Sequence, residues 1–191
     1  MRTLQDAKRR EILAAAAAVF ADKGFHAALM DEVAARAGIG KGTIYRYFDS
    51  KQELFFSILD SGGEELQAAL ASAGSARMAP DRKLKTMISA MADVMMRNQP
   101  LMKLLPEIGH DEIKKRHGRI RQQNKAVVAL MAAEIAEGIK AGVFRRGDAQ
   151  LWARLITVMT HAAFHRCKQV DKKATVLALN DFFFHGIMAG R

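Results

Sequence analysis

Residues 30–48 read Met30-Asp-Glu-Val-Ala-Ala-Arg-Ala-Gly-Ile-Gly-Lys-Gly-Thr-Ile-Tyr-Arg-Tyr-Phe48, and this stretch decides the fold. Its pattern predicts a short helix over about Met30–Ala37, a tight turn at Gly38-Ile39-Gly40, and a second short helix over about Lys41–Tyr47. Neither helix is long enough to persist alone, so the two must share a core. Val33, Ala37, Ile39, Ile44 and Phe48 have the spacing to supply it, and Ala34 with Ala37 permits close approach. Gly38 tolerates the left-handed backbone that a sharp helix-helix turn demands. This is a helix-turn-helix pattern.

The second helix would expose an unusual set: Lys41, Gly42, Thr43, Tyr45, Arg46 and Tyr47. The chain has two tyrosines, and both stand here. Cations, hydroxyls and phenols of this kind bind phosphates and base edges, while Gly42 lets the backbone come near a duplex. Downstream, Ser50 and Glu53 match a capping box and open a longer helix at Lys51, where an ammonium at a helix start could hold a phosphate. The bland reading of the same residues is an alanine-rich helical pair with Tyr45, Tyr47 and Phe48 as core. It is accepted for Phe48, and Tyr47 could go either way.

Outward from this stretch, helical periodicity dominates all 191 residues. A first helix is expected over about Leu4–Asp22, ended by Gly24, with Ile12, Ala15, Ala16, Val19 and Phe20 on one face. After the helix from Lys51 to about Ala71, Gly74 to Pro80 reads as a linker. Helices follow over 81–98, 101–109 and 111–141, then, after a break at Gly142, Gly147 and Asp148, one through Lys168, and a last one from Asp171 or Lys172 to about Gly190. The expectation is an all-α chain of about nine helices. Residues 1–55 form an N-terminal three-helix helix-turn-helix domain, 51–72 a connecting helix, and 75–191 a C-terminal helical domain.

Composition excludes more than it assigns. One cysteine, Cys167, rules out an internal disulfide framework and fits a reducing compartment. No apolar run reaches membrane-spanning length and no signal core follows the basic start, so a cytoplasmic protein without membrane partners is expected. The formal charge is +10, but residues 1–55 hold nine basic against seven acidic side chains, and the remainder 21 against 13. Net basicity is therefore weak support for nucleic-acid binding, because most of the excess lies outside the reading helices.

The stretch from about Arg9 to Leu59 resembles the DNA-binding domain of the TetR family of bacterial transcription regulators. The resemblance rests on Ile12-Leu13, Ala16, Phe20, Gly24-Phe25, Met30-Asp-Glu-Val-Ala, Ala37-Gly38-Ile39, Lys41-Gly-Thr-Ile-Tyr45, Tyr47-Phe48, Ser50-Lys51 and Leu54-Phe55. It implies a homodimer that binds a near-palindromic double-stranded operator and whose variable C-terminal domain takes a small-molecule effector. By position, Lys41, Thr43, Tyr45, Tyr47 and Lys51 match common DNA contacts of the family. Two departures are visible. Ala28-Leu29 stands where the family commonly has a capping Ser or Thr, and Gly40 stands where Ser is common. The first is worth about 1 kcal/mol of lost capping.

In the second half, no catalytic constellation stands out, so no enzymatic activity and no cofactor are expected. His161, His165 and Cys167 invite a metal reading, but Cys167 points off the face that the two histidines share, and no metal site is assigned. Met87, Met91 and Met95 form a stripe that suits either an adaptable apolar pocket or plain core. The family resemblance favours the pocket, with Met131 and Phe164 as further lining. Leu151, Leu155, Phe182 and Phe183 are expected at a dimer interface, because three consecutive phenylalanines cannot all face one core. The basic run Lys114, Lys115, Arg116, Arg119, Arg121 and Lys125 reads as a solvated face. The expected function is a repressor released from its operator by a small apolar effector. Activation or ligand-independent repression is the alternative mechanism, and a helical small-molecule binder without DNA binding is the alternative function.

Overall fold

The computed structural model describes residues 2–166 and 171–187. Among these, the chain is all helical: α1 Arg2–Ala27, α2 Met30–Arg36, α3 Lys41–Tyr45, α4 Lys51–Ser75, α5 Pro80–Met102, a 3-10 turn Leu105–Ile108, α6 His110–Lys140, α7 Ala149–Arg166 and α8 Lys172–Ile187. That gives nine helical elements, as the periodicity predicts, with several boundaries shifted.

Local chemistry accounts for most of the punctuation. Gly24 sits at φ 78° inside α1, so the last turn of that segment leaves the helix axis. Gly38, at φ 63°, ends α2 in a Schellman turn. Its N–H donates to Ala35 O at 3.1 Å, and the Ile39 N–H donates to Ala34 O at 3.0 Å. Gly142 ends α6 in the same way, with Val143 N–H on Gly138 O at 2.9 Å. The α7 start is fixed by Asp148, whose Oδ1 accepts from the Gln150 and Leu151 N–H groups at 2.9 and 3.0 Å.

Two expected helices are corrected around Pro100. A helix ending at Asn98, before Pro100, is not what forms: α5 runs through Pro100 to Met102. Proline removes one backbone donor but does not forbid a final helical turn, and the Asn98 Nδ2 donates to Val94 O at 2.8 Å across that region. The expected helix over 101–109 contracts to the 3-10 turn.

The chain divides into two compact units. The first comprises residues 1–62 together with 100–117, and the second comprises 63–99 with 118–191. The first is built on Ile12, Ala16, Phe20, Val33, Ile44, Phe48, Leu54 and Phe55, with Leu101 and Ile108 joining from the later segment. Phe20, Phe25 and Phe55 form an aromatic triad with ring centroids 5.5–5.8 Å apart. The second unit buries Leu84, Met87, Ile88, Met91, Met131, Ile135, Phe144, Ile156 and Phe164. Gly138 is required there, since an added Cβ would lie 2.2 Å from the Phe144 ring.

Candidate nucleic-acid interface

α3 ends at Tyr45, two residues short of the expected Tyr47, and with the turn that follows it presents two unlike faces. Ile44 and Phe48 are buried, whereas Lys41, Gly42, Tyr45 and Arg46 are exposed, and Thr43 and Tyr47 lie between. Tyr47 packs against the first unit's core, so of the two phenols Tyr45, 45% exposed, is the accessible one. No atom lies within 4 Å of a Cβ built on Gly42, which leaves the backbone there open to approach.

The expected contact residues fall into two notches rather than one. Lys41, Tyr45 and Lys51 line the first together with Leu29, Asp31 and Ser50, in a volume of about 440 Å3. Thr43, Arg46 and Tyr47 line the second with Gln5, Asp6 and Arg9 of α1, about 340 Å3. Gln5 and Arg9 were not singled out from sequence, because nothing local tells which face of α1 borders α3. Arg9 is also structural: its guanidinium lies 5.1 Å from the Phe48 ring centroid and donates to Ser57 Oγ at 3.2 Å.

The cations of the first notch are already engaged. Lys41 pairs with Asp31 at 2.9 Å, and this hydrogen bond, with the attraction behind it, raises the lysine above its ordinary pKa. Lys51 donates to His26 O at 2.9 Å and Ala28 O at 3.0 Å, and its ammonium stands 4.8 Å from the Phe25 ring centroid. An ammonium has three donors, so one remains beyond these two bonds.

Both departures from the expected caps have visible consequences. Leu29 and Gly40 precede α2 and α3 without a side-chain cap. At Leu29 half of a capping box survives: its N–H donates to Glu32 Oε2 at 3.4 Å, but leucine has no oxygen to return the bond. Lys23 salt-bridges Glu32 at 2.6 Å and holds its carboxyl below the usual range. The box expected at Ser50 and Glu53 forms with a shift. Ser50 Oγ accepts from the Glu53 N–H at 3.1 Å, while the Glu53 carboxylate reaches the Asp49 N–H at 2.6 Å.

In the second unit, Met87, Met91, Met95, Met131 and Phe164 come together in one buried cluster. The Met131 sulfur lies 3.8 Å from the Thr157 hydroxyl. Of the residues expected at a dimer interface, Leu151, Leu155 and Phe182 are exposed, with Val158 and Leu177 adding to the apolar surface. Phe183 is a correction: it is 5% exposed and belongs to the core of its own chain. Consecutive helical residues are about 100° apart, and α8 turns Phe183 and Phe184 inward while Phe182 faces out. His161 is exposed; Cys167 and the His165 side chain lie outside the described residues. Among the described residues, no group of three His, Cys, Asp or Glu side chains could hold a metal, and no helix is long and apolar enough to cross a membrane.

A Schellman-turned helix pair carrying an exposed, cationic and phenolic second helix defines the class of helix-turn-helix DNA-binding regulators. Residues 12–58 match the model for bacterial regulatory proteins of the tetR family, and residues 77–165 match a tetracyclin repressor-like C-terminal domain. The chain belongs to the TetR family, whose members are transcriptional regulators rather than enzymes.

Among its relatives is the transcriptional activator FasR of Mycolicibacterium smegmatis, 36% identical over 92 residues, 48% of this chain and 42% of that protein. The transcriptional repressor KstR of the same organism is 37% identical over 98 residues, 51% of this chain and 48% of that one. These two alignments thus span less than half of each relative's length. The fatty acid metabolism regulator protein of Bacillus subtilis aligns over 185 residues at 22% identity, covering 96% and 95% of the two chains. Among solved structures, the ketosteroid transcriptional regulator KstR2 of Mycobacterium tuberculosis has the same fold, with a TM-score of 0.69, 23% identity and 95% coverage of each chain.

Proposed function

We propose that this protein is a homodimeric repressor that leaves a near-palindromic operator when a small apolar effector binds its second unit. The observation that carries the DNA-binding part is α3 with the turn that follows it, which expose Lys41, Gly42, Tyr45 and Arg46 while Ile44 and Phe48 anchor them. Two such helices related by a two-fold axis would enter successive major grooves, with centres about 34–36 Å apart. Thr43, Arg46 and Tyr47 in one notch, and Lys51 in the other, would set the register on the phosphates.

The effector assignment rests on the methionine-rich core formed by Met87, Met91, Met95, Met131 and Phe164, which suits an apolar skeleton. The names of two similar proteins, a fatty acid regulator and a ketosteroid regulator, support a lipid-like molecule. The effector acts by binding the released conformation more tightly than the DNA-bound one. Activation is the second reading, favoured by the similarity to the activator FasR.

Selection of bound duplexes from a random pool tests this reading. Enrichment of an inverted repeat that binds less tightly as salt rises supports it. Failure to enrich any duplex would leave a helical small-molecule binder and overturn the DNA-binding assignment.

A further inference from the structure

A crevice of about 360 Å3 opens among α4, α5 and α6 within the second unit. Ala71, Leu130 and Ala133 supply its accessible apolar wall, with Leu70 and Met87 buried behind them, and its charged groups are Lys83, Glu134 and Glu137. Glu134 is 7% exposed. Its Oε2 accepts from the Lys83 ammonium at a long 3.4 Å. Its Oε1 is buried and has no hydrogen-bond partner among the described residues.

Nearly every buried polar atom in a folded protein finds a partner, so an orphaned carboxylate oxygen marks a missing donor. Two carboxylates face one ammonium here, which leaves an excess negative charge in a chain of net charge +10. A carboxylate or phosphate ligand would be repelled from this crevice, and a cation with an apolar body would be drawn to it. The half-buried Gly74 borders the same carboxylate: a Cβ built on it would lie 4.0 Å from Glu134 Oε2, so position 74 offers no side chain to close that side.

We infer that this crevice binds an amphipathic cation, its primary ammonium or amidinium group donating to Glu134 and its apolar body lying along Ala71, Leu130 and Ala133. The site borders the proposed effector cluster at the buried Met87 but is read from Glu134 and requires no DNA binding, so its failure and that of the operator reading are distinguishable.

Isothermal titration of the full chain with n-octylamine, octanoate and 1-octanol tests it. Octylamine should bind saturably at one site, with octanoate and octanol at least tenfold weaker. Glu134→Gln should weaken octylamine at least tenfold. Lys83→Met removes the competing ammonium and should tighten it several-fold, a gain that general destabilisation would not produce and that stands even if the Glu134 variant misfolds. Equal binding of octanoate, no saturable octylamine binding to the wild-type chain, unchanged affinity in a folded Glu134→Gln, or no gain in a folded Lys83→Met would each overturn the assignment.

Discussion

The Glu107 carboxylate accepts a hydrogen bond from the Phe25 N–H at 3.1 Å, across 82 positions of sequence. This contact lies at the kink where Gly24 takes φ 78°, just before the Phe25 ring enters the aromatic triad with Phe20 and Phe55. It explains why the 3-10 turn belongs to the same compact unit as the helix-turn-helix. Arg116 reinforces the arrangement: it reaches Asp60 at 3.4 Å and stands 5.0 Å from the Phe56 ring centroid. Residues 100–117 are thereby part of the DNA-binding unit's own structure.

Loss of the Glu107 carboxylate should therefore be felt in the N-terminal unit. Glu107→Ala is expected to lower stability by about 1 kcal/mol, the usual net worth of such a bond. Glu107→Gln keeps an acceptor oxygen and should recover most of it. Gly24→Ala should cost a further ~1–2 kcal/mol, because L-residues resist positive φ. Urea denaturation of the three variants measures this, and equal midpoints for wild type and Glu107→Ala would show that the contact is idle.

Asp31 restrains Lys41 through an exposed ion pair of 2.9 Å. Asp31→Asn should free the ammonium for phosphate, tightening duplex binding and steepening the salt dependence by about one counterion. Because Lys41's pKa is raised by Asp31, the pair's contribution is complete below the ordinary lysine value of 10.5 and is lost only as pH rises through the higher folded value. Fluorescence anisotropy on a selected operator, at several salt concentrations, reads the change. Weaker binding by Asp31→Asn would mean that Asp31 orients Lys41 rather than competing with DNA for it.

Tyr45 and Lys51 should separate in their effects. Tyr45 is 45% exposed, so Tyr45→Ala should weaken operator binding with the thermal midpoint nearly unchanged. Lys51 holds the carbonyls of His26 and Ala28, so Lys51→Ala should lower both affinity and stability, the latter by about 1–2 kcal/mol. An affinity loss in Lys51→Ala without any stability loss would assign that ammonium to DNA alone.

The short helices and their turn were legible in the sequence because their signals are local. Gly38 supplies the left-handed residue, Ser50 supplies a cap, and Ile44 with Phe48 supplies the buried face. What escaped depends on which elements meet. Lys41 and Asp31 stand ten residues apart, and their pairing follows from the angle between α2 and α3. Lys51 reads as a phosphate ligand, and only the fold shows that His26, at the end of α1, and Ala28, just beyond it, also offer it two carbonyls. Pro100 reads as a stop, yet α5 carries it and ends two residues later at Met102, so the helix ends just past the proline rather than at Asn98. No periodicity indicates that Leu101 and Ile108 leave the second unit's core for the first.

Glu32 gives a pH dependence with a definite sign. Lys23 lowers its carboxyl pKa, so the contribution to folding is present above the ordinary value of 4.5 and is lost as pH falls through the lower folded value. The Glu32→Gln variant should show a shallower acid limb than wild type, the two curves converging only once pH has fallen through the lowered folded value and the Glu32 carboxyl is protonated. Urea midpoints followed from neutral to acid pH test this. A wild-type acid limb no steeper than the variant's would remove Glu32 from the account.

Phe182 and Phe183 are adjacent in sequence but should report on different equilibria. Phe183 is 5% exposed within its own core, and Phe183→Ala should cost ~3–5 kcal/mol of fold stability through the cavity it leaves. Phe182, 65% exposed, has little to lose in one chain. If it and Leu155, 46% exposed, are covered by a second copy, Phe182→Ala and Leu155→Glu should leave the isolated fold intact while shifting the dimer toward monomer. A charge on an apolar interface should act more strongly than a truncated ring, because an unpaired carboxylate there must be desolvated. Sedimentation velocity over a range of concentrations separates association from folding. Unchanged dimerisation in Leu155→Glu would place the interface off this face of α7, whereas a monomer that no longer binds the operator would tie assembly to DNA recognition.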